Sequence, residues 1–307
     1  MSLVNKKTLL AGTLAAFMAG SVCATGALAL DPGYRAPDAE HTLVIETNKG
    51  RIVVELYPSL APSNVARLLA LAHTHFYDGL VFHRVIEDFM AQTGDPKGDG
   101  TGGSDLPNVP AEFTMRHDSS FPFVVANKPA GSQIGFLGAM PVQSQVNELM
   151  PITKDGKVSA WGLYCQGVLG MARDNSPDSA NSQFFLMRGS NNVLEKRYTA
   201  VGVTLTGLDV IRKLKIGEPP VNPDKMLSVR VLADIPEAER PKIEVMDTSS
   251  TQFQAVLDWV RRDKGENFSA CDVTVPVKDL NAPPVKAEAP AKPAEPDVPE
   301  LKSPTGL

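Results

Sequence analysis

Segment 81–95 holds the side chains of this sequence that are best suited to chemistry. It reads VFHRVIEDFMAQTGD, so Arg84 stands in an otherwise apolar, strand-like stretch and Gln92 follows eight residues later. A guanidinium is always charged and donates several hydrogen bonds from one plane, so it can stabilise developing electron density without transferring a proton. Taken alone, the pattern is more typical of an arginine at a strand end that pairs with an acidic residue.

Motifs for other common chemistries are missing from the sequence. His73 and His75 are two positions apart on a predicted helix, which places them about 200° apart around its axis, so they cannot bind one metal ion. There is no H-E-x-x-H, no G-x-S-x-G and no G-x-x-x-x-G-K-[ST], and the glycine-rich segment 94–103 lacks a Lys-Ser/Thr pair. Metalloprotease, serine hydrolase and NTPase functions are therefore disfavoured.

Short motifs follow one another along the middle of the chain. Segment 81–95 is followed by GTGG at 100–103, GVLGMA at 167–172 and SQFF at 182–185, with support from Gly202 and from GLDV at 207–210. In this order they resemble the cyclophilin family of peptidyl-prolyl cis-trans isomerases. The resemblance covers roughly residues 41–235 and says nothing about 236–307.

The resemblance implies a closed eight-stranded antiparallel β-barrel capped by two helices, with a surface groove for proline-containing polypeptides. It implies that Arg84 is the catalytic arginine and that Gln92 helps to hold Arg84 or the substrate carbonyl. Phe89 joins this catalytic set and also walls the proline pocket. The other implied site residues are the pocket walls Met90, Phe185 and Leu194, and the groove residues Ala172, Arg173, Gln183 and Tyr198. No metal or cofactor is required.

Four positions depart from the usual family pattern. Thr93 replaces a second glycine, Arg173 an asparagine, Tyr198 lies near the usual histidine and Val193 near the position of a tryptophan. That tryptophan donates a hydrogen bond to cyclosporin-type ligands in the family, so we expect weak cyclosporin binding. Arg173 and Tyr198 would alter contacts with the peptide backbone, and hence substrate preference.

Local patterns predict the elements that position these residues. Strands 43–45 and 52–54 flank a turn at 48–50, and apolar side chains at helical spacing predict a helix over 63–74. The five glycines of 94–103 predict a loop. Further strands are predicted at 80–82, 167–171, 183–187 and 228–232, and a second helix at 207–214.

Two additions are predicted around this body. Scattered prolines predict an irregular insertion at 118–166, and segment 236–281 predicts a small α/β extension with a strand at 243–246. Its helix is predicted to be capped by the Ser249-x-x-Gln252 pattern and to end at Gly265. Segment 282–307 has seven prolines in 26 residues and is predicted to be disordered.

The composition and the N-terminus indicate an exported protein. A net charge of −5 disfavours nucleic acid as a partner. Residues 1–29 combine two lysines, an apolar run over 9–22 and an Ala27-Leu28-Ala29 cleavage pattern, which is typical of a signal peptide cleaved after Ala29. We therefore expect a periplasmic or secreted protein that begins with a polar lead at 30–40 and has no membrane span after cleavage; an uncleaved anchor is the alternative.

Two cysteines, Cys165 and Cys271, would remain in the mature chain. An oxidising compartment permits a disulfide, but the sequence does not tell whether the two lie within bonding distance, so free thiols are equally open. The leading functional hypothesis is an exported prolyl isomerase that assists protein folding. The alternative is a cyclophilin-like binding or chaperone module with incidental or no isomerase activity.

Overall fold

A computed structural model describes residues 30–265 and 267–281 of the protein. The predicted signal peptide and the predicted disordered tail lie outside the described residues. The elements, in chain order, are β1 Tyr34–Arg35, β2 Thr42–Thr47, β3 Gly50–Leu56, α1 Pro62–His73, β4 Arg84–Ile86, β5 Met90–Thr93, β6 Met115–His117, β7 Phe123–Asn127, β8 Ser132–Leu137, β9 Met140–Gln145, β10 Val158–Gly162, β11 Val168–Met171, β12 Phe184–Met187, β13 Ala200–Thr206, α2 Leu208–Lys213, β14 Met226–Val231, β15 Ile243–Met246, α3 Thr251–Lys264 and β16 Val277–Asp279.

Eight strands form the main sheet, in the order β14-β2-β3-β13-β11-β12-β5-β4, with antiparallel neighbours. The sheet curls into a half-barrel, so the prediction of a closed barrel was wrong. Among the described residues, β4 and β14 share no ladder, and only single bridges, Val85–Gly217 and Val81–Lys225, lie near the gap. The segment 215–225 beside the gap carries three prolines, which lack the N–H that a ladder requires.

The local predictions for this sheet hold in most places. The hairpin at 43–54 is β2 and β3, and the two helices occupy the predicted segments, with Pro62 at the first position of α1. α1 buries its apolar face, including Val65 and Leu68, and contacts β14. The predicted strand at 80–82 was wrong, because Val81 makes only one isolated bridge and the ladder begins at Arg84.

The predicted irregular insertion is instead an antiparallel five-stranded sheet in the order β6-β10-β9-β8-β7. Three of the four prolines that argued against regular structure, at 122, 129 and 151, lie between the strands of this sheet. There their missing N–H removes no ladder hydrogen bond. Only Pro141 lies inside a strand, β9. The strands are short and alternate poorly between polar and apolar residues, so the sequence pattern did not indicate them.

The C-terminal extension forms a three-stranded sheet, β1-β15-β16, together with α3. The N-terminal lead supplies β1, which pairs with the predicted strand at 243–246. α3 packs on the five-stranded sheet, where Phe253 meets Phe136 edge-to-face with ring centroids 5.3 Å apart. Its cap is Ser250, whose side chain accepts from the Phe253 N–H, rather than the predicted Ser249, and the helix ends at Gly265 as predicted.

A disulfide and a buried ionic network join these parts. Cys165, just before β11, is bonded to Cys271 of the extension. Glu55 of β3 is buried; it accepts two hydrogen bonds from Arg35 of β1, at 2.6 and 2.7 Å, and one from Tyr57. The Tyr57 oxygen in turn accepts from the Ala139 N–H at 2.8 Å. The additions are thus fixed to the main sheet at several points.

Candidate active site

One row of residues crosses the main sheet from β4 to β11. Arg84 is the register partner of Gln92, Gln92 of Phe185, and Phe185 of Gly170. Directly opposed residues of antiparallel strands project to the same face, with Cβ atoms about 4.5–5.5 Å apart. The sheet therefore brings Arg84, Gln92 and Phe185, from segments far apart in the sequence, onto one surface.

Arg84 lies at the open edge of this row. Its side chain is 40% exposed, and its Nε donates to Glu218 Oε2 at 2.6 Å. The described residues accept no other hydrogen bond from its guanidinium. The acidic partner that the sequence pattern left open is thus present. Four of the five N–H donors of the guanidinium remain for a substrate.

The two predicted glutamines contact each other instead of Arg84. Gln92 Nε2 donates to Gln183 Oε1 at 2.8 Å, and Gln183 Nε2 donates to the carbonyls of Gly100 and Gly102 at 3.0 and 2.8 Å. Gln92 therefore does not make the predicted contact that would hold Arg84. Because it bonds Gln183, the centre of the row is connected to the glycine-rich loop.

The four predicted walls of the proline pocket belong to one apolar cluster. Met90, Phe185 and Leu194 are buried in it, and half-buried Phe89 packs against it. These residues come from the β4–β5 turn, from β5, from β12 and from the turn at Asn192–Leu194. The predicted walls therefore pack together, and of the four only Phe89 keeps substantial exposed surface.

Phe185 is held between two tyrosines. Its ring stacks on Tyr164 at a centroid distance of 5.8 Å and meets Tyr198 edge-to-face at 6.0 Å. Gly170 makes this packing possible, because a Cβ there would lie 2.6 Å from Phe185 Cζ and 2.8 Å from Tyr164 Cε1. Tyr164 therefore fixes the position of the Phe185 ring from one of its two faces.

Arg173 is tied to the protein rather than free in the groove. Its guanidinium lies 4.5 Å from the centroid of the Tyr198 ring. It donates to the carbonyl of Arg197 at 2.9 and 3.0 Å and to that of Asp174 at 2.6 Å. It nevertheless lines a cavity of about 410 Å³ together with Ala172, Gln92, Gln183 and the glycine-rich loop.

In segment 81–95, Arg84 is the side chain that carries a positive charge at pH 7. Burial lowers the pKa of the neighbouring His83, so its imidazole is neutral at pH 7. Asp95 anchors the loop by accepting from the N–H groups of Lys97, Asp99 and Gly100. Burial acts to raise the pKa of Asp95, but these N–H groups outweigh it and keep the pKa below its usual range.

Within 30–265 and 267–281, no three or more His, Cys, Asp or Glu side chains come together in a way that could hold a metal ion. None of the helices in the same residues has the length and apolar character needed to cross a membrane.

The predicted site residues meet around the row, the apolar cluster and the cavity. Two contributors were not predicted, Glu218 and Tyr164. Glu218 is 134 positions from Arg84 and belongs to no motif; the strand-end pattern indicated an acidic partner without identifying it. Tyr164 belongs to no motif, and its role depends on the space that Gly170 leaves in β11.

Comparisons with known proteins concern the family and the fold of the chain. Residues 42–231 match the family model described as cyclophilin type peptidyl-prolyl cis-trans isomerase/CLD. A probable peptidyl-prolyl cis-trans isomerase of Brucella suis is 33% identical over 71% of this chain and 98% of its own length. Peptidyl-prolyl cis-trans isomerase 10 of Caenorhabditis elegans is 29% identical over 57% of this chain and 81% of its own. The crystal structure of a cyclophilin from Hirschia baltica is 36% identical, covers 80% of this chain and 92% of that one, and superposes with a TM-score of 0.75.

Proposed function

The chain belongs to the cyclophilin-type peptidyl-prolyl cis-trans isomerases, and on this premise we propose that Arg84 catalyses the rotation of X-Pro bonds in exported polypeptides. The observation that carries the proposal is the row Arg84–Gln92–Phe185. It sets a guanidinium with unused donors on the same face of the sheet as Phe185, a member of the apolar cluster.

The chemistry follows from the electronic structure of the amide. Rotation about the peptide bond is opposed by about 18–20 kcal/mol, because the nitrogen lone pair is delocalised into the carbonyl. In the twisted transition state the lone pair returns to the prolyl nitrogen. A guanidinium that donates to this nitrogen stabilises the twisted state more than the planar one, and thereby lowers the barrier. No proton is transferred and no covalent bond forms.

The apolar cluster and the glutamines have complementary roles in this proposal. Phe89, Met90, Phe185 and Leu194 hold the proline ring while the preceding carbonyl turns. Gln92 hydrogen-bonds to the substrate backbone from the middle of the row. The cavity beside Ala172 and Arg173 receives residues that precede the proline.

The proposal also includes export. The N-terminal pattern is that of a signal peptide, and the Cys165–Cys271 disulfide suits an oxidising compartment. Fractionation of the native host followed by N-terminal sequencing tests this part. We expect the mature chain in the exported fraction, beginning at Leu30; a chain found in the cytoplasm with an intact N-terminus would contradict it.

The catalytic role is tested with Arg84→Ala in an isomerisation assay on an X-Pro peptide. Loss of the guanidinium should lower kcat/KM by about 100- to 1,000-fold, or about 2.7–4 kcal/mol, as removal of an oxyanion-hole donor does. Arg51→Ala is the matched control, because Arg51 also pairs with a glutamate through its Nε at the surface. Both variants should unfold at the wild-type temperature. Wild-type turnover in Arg84→Ala would refute the mechanism, whereas a wild-type protein without measurable turnover would favour a binding module.

A further inference from the structure

The segment between α2 and β14 presents a carboxylate to Arg84. Glu218 lies in this segment, and its Oε2 accepts from Arg84 Nε at 2.6 Å. The residue before it, Gly217, exchanges two backbone hydrogen bonds with Val85, the neighbour of Arg84, at 2.8 and 2.9 Å. The carboxylate thus comes from a backbone that is fixed directly to the strand that carries the arginine.

The remainder of this segment is also held in place. Buried Asp224 accepts from the Lys215 N–H at 2.9 Å and from Asn48 Nδ2 at 2.8 Å. Lys215 Nζ donates to the carbonyl of Asn222 at 2.7 Å. These bonds close the segment on both sides of Glu218, so its backbone position is defined before any substrate binds.

We propose that Glu218 is a positioning residue of the isomerase, which orients the guanidinium of Arg84. The carboxylate engages the Nε edge and leaves the terminal nitrogens for the substrate. A free arginine side chain would spread over many rotamers, and only some of them bring the donors over the apolar cluster. The proposal rests on the catalytic role of Arg84 proposed above.

The test compares Glu218→Gln with the wild type in the isomerisation assay at low salt. Exposed ion pairs contribute little individually, so we expect kcat to fall about two- to fivefold while KM and the unfolding temperature stay the same. Glu46→Gln is the matched control. It removes the carboxylate from another partly exposed pair, with Arg51 Nε on the β2–β3 hairpin, and it should leave kcat unchanged.

Salt dependence gives a readout that a merely structural role would not change. In about 1 M NaCl the screening length falls to about 3 Å, so the Glu218–Arg84 attraction weakens. We expect the wild-type rate to approach that of Glu218→Gln, and the Glu46→Gln rate to follow the wild type throughout. In NMR spectra, the Arg84 Nε–H signal should move in Glu218→Gln alone.

The possible failures are distinguishable. A Glu218→Gln variant as fast as the wild type, or faster, would overturn the positioning role, and the faster variant would show that Glu218 competes with the substrate. An Arg84→Ala variant with normal activity would overturn the proposed function itself, whatever the behaviour of Glu218→Gln. Loss of folding in Glu218→Gln, detected by a lowered unfolding temperature, would also contradict the proposal, because an exposed pair is not expected to determine stability.

Discussion

Removal of the Cys165–Cys271 bond should strongly destabilise the protein. The bond joins positions 106 residues apart. In the chain-entropy description, a crosslink over a loop of this size restricts the unfolded chain by about 4.7 kcal/mol at 25 °C. Residual structure in the unfolded chain reduces this figure, so it is an upper bound. With an m value of about 3 kcal/mol/M in urea, the unfolding midpoint should fall by up to about 1.6 M.

Cys271→Ser is the variant that isolates the crosslink. Cys271 is exposed, so a hydroxyl in its place is solvated, whereas Cys165 is 6% exposed and remains as a small apolar side chain. Urea unfolding, followed by the fluorescence of buried Trp161, would be measured for the wild type and Cys271→Ser with and without dithiothreitol. The reductant should shift the wild-type midpoint down to that of the variant and leave the variant unaffected.

Two results would refute this reasoning. A wild-type midpoint that does not respond to the reductant would show that the crosslink contributes no stability. Two free thiols per mature chain, counted in denaturant on protein from its exported location, would show that the bond is absent.

Three further predictions concern the pocket and the surface. Phe185→Ala should lower stability by about 3–5 kcal/mol, since the ring packs between Tyr164 and Tyr198. It should also raise KM, because the ring is proposed to hold the proline of the substrate. Unchanged turnover per folded molecule would make the ring purely structural. Val193→Trp, at a position 61% exposed, should tighten cyclosporin binding about two- to tenfold, and titration of activity with the drug measures this. The hydrogen bond from Arg230 holds the pKa of Asp78 below its ordinary value of 3.8, so this pair stabilises the fold above that pH and the contribution disappears as the pH falls. Asp78→Asn should therefore lower the free energy of unfolding by about 1 kcal/mol at pH 7 and by less in acid. Urea unfolding at each pH measures the difference.

The elements that depend on neighbouring residues could be predicted from the sequence. The hairpin at 43–54 and helix α1 follow from alternation and from apolar spacing, which act within a few residues. The candidate site could also be located from the sequence, because Arg84 to Gln92 form one continuous motif and Phe185 lies in another. Their order along the chain resembled a known family closely enough to assign roles.

The parts that depend on pairing between distant segments were not predictable. The five-stranded sheet of the insertion pairs short strands interrupted by prolines, and no local pattern records such partners. The barrel was expected to close, but the proline-containing segment 215–225 leaves β4 and β14 without a ladder among the described residues. Cys165 and Cys271 could be counted in the sequence, and only the fold brings their Cα atoms to 5.0 Å.

The sequence by itself determined which chemistry is available, since an always-charged arginine within an apolar motif permits electrostatic catalysis without a metal or a base. The tertiary structure decided how the side chains around that arginine are arranged. Register places Arg84, Gln92 and Phe185 in one row, Gly170 admits Tyr164 beneath Phe185, and the fold brings Glu218 to the guanidinium across 134 positions. Side-chain type is a property of one residue, whereas orientation depends on contacts among residues that only folding brings together.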